Sequence, residues 1–157
     1  MAKFKVYVET SVVSYLTARP SRDLVRAAHQ ELTFEWWQGR DRFELYASEA
    51  VVEEAAAGDP EAAAHRLAAL RECVIVAVDG RVATLGRALL QAHALPAKAM
   101  VDALHVAAAA VHGIHYLLTW NCKHIANATT RGIIDRTCRE GGFEPPTICT
   151  PEELTEE

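Results

Sequence analysis

The sequence predicts an α/β fold on a parallel sheet, from three observations. Short runs rich in β-branched and aromatic residues recur along the chain, helical segments fill the gaps between them, and those gaps are long enough for one or two helices each. Gaps of that length suit crossovers between parallel strands rather than hairpins. The chain has 157 residues, the size of one ordinary domain, and half of them are hydrophobic, enough for a single core.

The strand-like runs are Val6–Val8, Phe43–Ala47, Cys73–Val78, Tyr116–Thr119 and, at the end, Thr147–Cys149. After the first, Leu24, Val25, Ala28, Leu32 and Trp36 recur at helical steps between Ser21, a plausible N-cap, and Gly39, a stop. Ser48 starts the next helix and Gly58 ends it, while Asp59–Pro60 reads as an N-cap with proline at the first helical position. Asp79 caps a helix through Leu90; Pro96 separates it from a further helix that stops at Gly113. The acidic tail from Pro151 is expected to be mobile.

Several function classes are disfavoured by composition. The formal net charge of −5 argues against a protein that grips nucleic acid through a general excess of lysine and arginine. The first residues lack the apolar core of a signal peptide, and no run approaches a membrane span, so a cytoplasmic protein is expected. Cys73, Cys122, Cys138 and Cys149 are too scattered for a metal knuckle and read as free thiols. The pair His112 and His115 straddles a helix stop, which disfavours a zinc site, and His29, His65 and His93 read as solvent-facing. Cys122 with His124 lacks any sign of an activated thiol, and no glycine-rich phosphate loop occurs.

The acids are more informative. In an open α/β sheet ligands gather beyond the carboxyl ends of the strands, and Glu9 follows the first strand directly. Thr10 and Ser11 either cap the next helix or also bond a metal water or phosphate. Glu49, Glu53 and Glu54 occupy the start of the helix after the second strand, where the helix dipole alone favours acids. Asp102 sits in a helix of small apolar residues, where an unpaired carboxylate is costly; its ordinary partner would be Lys98 or His105. The fourth strand delivers Thr119, Trp120, Asn121 and His124 to the same edge, with Asn121 open to an Asx turn and Trp120 to packing. Carboxylates that converge repel unless a cation neutralises them, and hard oxygen donors suit Mg²⁺ or Mn²⁺. Such a site can hydrolyse a phosphodiester, letting an acidic protein handle RNA.

These residues resemble a known family. "VYVETSVVSYL" is similar to the opening strand, acid, threonine and serine of PIN domains, the metal-dependent nuclease fold that includes VapC-type toxins. "SEAVVEEAAAG" resembles that family's serine with a glutamate six residues later, which selects Glu54 over Glu53; "DALHVAAA" and "LLTWNCKHI" resemble its third and fourth motifs. The resemblance spans nearly the whole chain and implies one three-layer α/β/α domain over residues 1–157 with a central parallel sheet of four to five strands. It further implies a Mg²⁺- or Mn²⁺-dependent endoribonuclease with Glu9, Glu54 and Asp102 as metal ligands, Asn121 as a fourth catalytic residue, and Thr10, Ser11, Thr119 and His124 in support. A homodimer and a small antitoxin partner are implied as well. Two departures stand out: the opening acid is glutamate where the family usually has aspartate, and Asn121 and His124 replace a frequent fourth acid. A PIN-like domain that has lost catalysis and binds RNA or protein is the alternative.

Overall fold

The computed structural model describes residues 2–155. Five strands, β1 (Phe4–Val8), β2 (Phe43–Ser48), β3 (Val74–Val76), β4 (Tyr116–Leu118) and β5 (Thr147–Cys149), form one sheet in the order β3-β2-β1-β4-β5. All neighbours are parallel, with Val6 opposite Leu45 on one side and Tyr116 on the other. A central parallel strand is covered on both faces, so it reads as an unbroken apolar run, and Val6, Tyr7 and Val8 have no exposed surface.

Helices α1 (Thr10–Thr17) and α2 (Leu24–Gln38) connect β1 to β2, α3 (Glu49–Ala55) and α4 (Pro60–Leu70) connect β2 to β3, α5 (Gly80–Gln91) and α6 (Met100–Val111) connect β3 to β4, and α7 (Arg131–Glu140) leads to β5. Right-handed crossovers stepping from β1 to β3 put α1–α4 on one face; the return from β3 to β4 and on to β5 reverses direction and puts α5–α7 on the other. The packing follows: α1 lies against α2, α3 and α4, and α5 against α6 and α7, while α3 meets α6 and joins the two layers. The three-layer arrangement and the upper strand number both agree with expectation. Reversal of direction at β1 makes the carboxyl ends of β1 and β4 the topological switch point of the sheet, where open α/β sheets gather ligands.

Local signals explain most boundaries. Ser48, Asp59 and Asp79 accept hydrogen bonds from the first turns of α3, α4 and α5 as N-caps. Gly58 and Gly113 adopt φ of +85° and +68°, the left-handed region that ends a helix at little cost to glycine.

Three expectations need correction. Asp23, not Ser21, caps α2; Ser21 lies a step earlier, its hydroxyl accepting from Asp23 N. Leu24 and Val25 do not join the apolar stripe of α2 but are 87% and 63% exposed, because the buried side of that helix is carried by Thr33 and Trp36. The third strand is shorter than Cys73–Val78, since Cys73 N bonds Leu70 O at the end of α4 and Ala77 O accepts from His112 Nε2.

At the carboxyl terminus Pro151 is buried, Glu153 accepts hydrogen bonds from Thr150, and Leu154 packs on the core; the rest of the tail expected to be mobile, Glu156 and Glu157, lies outside the described residues. Among the described residues no helix is long and apolar enough to cross a membrane.

Candidate metal centre

Glu9 stands at the switch point, one residue past β1, with 4% of its surface exposed. It is itself the N-cap of α1: Oε2 accepts from Ser11 N at 2.9 Å. This corrects the expectation that Thr10 or Ser11 caps the helix. The other carboxylate oxygen, Oε1, accepts from Ser11 Oγ and from Thr119 Oγ1, each at 2.5 Å. Thr119 follows β4, so the carboxylate ties together the two strand ends at the switch point. Its hydrogen bonds come from neutral donors, which satisfy lone pairs without supplying a counter-charge.

Glu54 reaches the same rim from α3. Thr10 Oγ1 and His105 Nε2 both meet its Oε1 at 2.6 Å. His105, on α6, is fully buried, and its Nδ1 lies 2.8 Å from Tyr7 Oη, which is 2.7 Å from Ser48 Oγ. With His105 Nε2 donating to the carboxylate, the network assigns Nδ1 as acceptor for the Tyr7 hydroxyl in the neutral ring, and Ser48 completes the chain. Burial raises the Glu54 carboxyl, but hydrogen bonds from His105 and Thr10 outweigh it and hold the group below its ordinary value. Burial pushes the Tyr7 phenol far above its ordinary range, so it stays protonated and able to donate. Glu49 and Glu53, on the same helix, are exposed.

Asp102 is partly buried in the first turn of α6, and its Oδ2 lies 2.9 Å from His124 Nδ1. Its partner is therefore His124 rather than Lys98 or His105, because His105, one turn along, is turned to Glu54. Asn121 forms the Asx turn: its Oδ1 accepts from His124 N at 3.0 Å, while its own N–H donates to Thr119 Oγ1 at 2.9 Å. A continuous hydrogen-bonded path thus runs from Asp102 through His124, Asn121 and Thr119 to Glu9.

Glu9, Glu54 and His105 offer ligand atoms that all lie within 4.8 Å of one another. Two oxygens on one Mg²⁺ stand at most about 4.2 Å apart, given bonds of about 2.0–2.1 Å, so the two carboxylates need only a small shift to share an ion. Their hard oxygens fit Mg²⁺ or Mn²⁺. His105 fits less well as a ligand, since both ring nitrogens are already engaged, by Glu54 and by Tyr7. Asp102 lies outside this tight group, one helical turn from His105, where side chains at i and i+3 are neighbours.

No family model matches the chain, and no curated protein matches it in sequence. Among solved structures it superposes on a chain from the crystal structure of VapBC2 from Rickettsia felis bound to a DNA fragment from their promoter. The TM-score is 0.58 at 13% identity, covering 94% of this chain and 98% of that one. The architecture is a PIN-like fold. Identity this low speaks for the fold alone.

On the PIN-like frame, the serine and glutamate spaced by six residues prove to be connected: Ser48 and Glu54 stand at opposite ends of the path through Tyr7 and His105. His105 and Tyr7 are the residues that sequence reasoning missed as parts of the site. The signal was a histidine in a helix whose only other polar residue is Asp102, which a buried position obliges to find partners. His112 and His115 are engaged elsewhere, His112 bonding Ala77 O and His115 accepting from Lys5 N, and burial pushes the Cys122 thiol up rather than down. All the cysteines are free. Trp120 is packing, as expected, its Nε1 donating to buried Thr33 Oγ1. His29 departs from its solvent-facing expectation and stacks on Trp120 at 4.0 Å between ring centroids.

Proposed function

We propose that the protein is a Mg²⁺- or Mn²⁺-dependent endoribonuclease. The observation that carries this reading is the approach of Glu9 and Glu54 at the carboxyl end of the central strand of a PIN-like fold, with ligand atoms, including that of His105, within 4.8 Å of one another. Glu9 and Glu54 would hold the cation, with Asp102, one helical turn from His105, as the third acid. When bound, the ion supplies charge stabilisation to the phosphodiester and acidifies water for in-line attack.

The chain's own groups then have distinct work. Ser11 and Thr119 fix the direction of Glu9. Thr10 and His105 both grip Oε1 of Glu54, which leaves Oε2 to face a cation or an attacking water. The depressed Glu54 carboxyl stays ionised and ready to take part. His124 holds Asp102, and Asn121 shapes the loop that carries His124 rather than presenting its own oxygen.

The likeness to VapBC2 and the motif order support a toxin paired with a small antitoxin, and a cytoplasmic homodimer of single-domain chains. A second reading has its own observation: the oxygens of Glu9 already accept from Ser11 and Thr119, as a purely structural cap would. On that reading the domain binds RNA without cutting it.

Incubation with labelled single-stranded RNA separates the two. The nuclease cuts with Mn²⁺ or Mg²⁺, stops with chelator, and loses cutting in Asp102→Asn with an unchanged circular-dichroism spectrum. RNA binding without cutting under all metal conditions would establish the binding module instead.

A further inference from the structure

A cavity of about 280 Å³ lies between the end of α5 and the loop that follows β4, lined in part by His93, Pro96, Lys123, His124, Asn127 and Thr130. His124 belongs to both places, since its Nδ1 is on Asp102. The cavity therefore opens next to the acidic rim.

Its lining carries one full positive charge, Lys123, beside the imidazoles of His93 and His124, in a protein whose formal charge is −5. Lys123 and His93 are exposed, and no hydrogen bond or ion pair within the described residues uses either side chain. His93 also stands in the left-handed backbone region. It has φ of 60° at the end of α5, where His93 N bonds Leu90 O and Ala94 N bonds Leu89 O. That is a Schellman ending, whose left-handed position is ordinarily glycine or asparagine. Histidine enters this region more readily than most side chains, so the ending holds while placing an imidazole on the cavity lining where glycine would leave none.

We propose that this cavity is a phosphate-binding subsite for the RNA chain: Lys123 and His93 hold a backbone phosphate adjacent to the one that meets Glu9, Glu54 and Asp102. The subsite takes its ligand class from the ribonuclease reading. Lys123 supplies local positive charge that an acidic protein needs to seat a polyanion, and the His93 imidazole adds a ring N–H donor for a phosphate oxygen, while Asn127 and Thr130 spend their hydrogen bonds on the loop itself.

Two variants of the full chain test it, His93→Gly and Lys123→Gln. Binding of a labelled single-stranded RNA oligomer is followed by anisotropy with Ca²⁺ in place of Mn²⁺, across a salt series, and cleavage kinetics are measured with Mn²⁺. Each variant is expected to weaken binding about 3–10-fold and to raise KM with kcat little changed, and Lys123→Gln is expected to flatten the salt dependence by about 0.7 in log–log slope. His93→Gly is expected to match or exceed the wild-type melting temperature, so weaker binding could not be blamed on folding. Unchanged affinity and salt slope in both variants would overturn the subsite and leave the nuclease reading intact. Weakened binding in a protein that never cuts would support the subsite and remove the nuclease. A wild-type chain that fails to bind the oligomer would overturn the subsite as well.

Discussion

His105 Nε2 stands 2.6 Å from Glu54 Oε1 although the two residues are 51 positions apart. The contact joins the two helical layers and sets the direction of a carboxylate at the sheet's switch point. His105→Asn shortens the side chain, so Glu54 loses its fixed orientation. Affinity for Mn²⁺, measured by isothermal titration calorimetry, is expected to fall about 10–100-fold, the range seen when a group orienting a metal ligand is removed. An unchanged affinity would show that His105 serves the core alone.

Tyr7→Phe tests the far end of the same path. The ring still fills its place, but Ser48 Oγ and His105 Nδ1 lose a buried partner. Leaving buried polar groups unsatisfied costs about 1–3 kcal/mol. For a chain of this size the melting temperature is expected to drop by about 2–12 °C in calorimetry.

The depressed carboxyl of Glu54 has a pH signature. A group whose folded pKa lies below its unfolded value contributes stability in full above the unfolded value, and that contribution is lost as pH falls through the folded one. The ordinary value is 4.5. Urea unfolding of wild type and Glu54→Gln is expected to give a stability difference that is constant from pH 7 to about that value and shrinks below it. A difference that grows on acidification would reverse the assignment.

Thr33→Val removes the acceptor for Trp120 Nε1 at a fully buried position, with little change in shape. A loss of about 1–3 kcal/mol is expected in denaturant melts, together with a changed near-ultraviolet dichroism signal from Trp120. Because Trp120 sits between Thr119 and Asn121, RNA cleavage should fall with it.

Much of this arrangement can be read from local pattern. The buried run ending at Val8 announces a central strand, and the acid that follows it must lie at a strand's carboxyl end, which is where Glu9 caps α1. Caps at Ser48, Asp59 and Asp79 are equally local. The partners of the acids are not. Asp102 has Lys98 and His105 within helical reach, yet it pairs with His124 across a loop, and His105 reaches to α3 instead. Those choices depend on how α3, α6 and the β4 loop pack, which spacing along one helix cannot reveal. Leu24 and Val25 teach the same lesson in reverse: their helical period is right, but the covering layer ends before it reaches them.

Crystals soaked in Mn²⁺ and measured at the manganese edge offer the most direct check on the shared-cation claim. A strong anomalous peak within coordination distance of both Glu9 and Glu54, absent from Glu54→Gln crystals, is the expected result. A wild-type map with no peak between those carboxylates at saturating Mn²⁺ would contradict it.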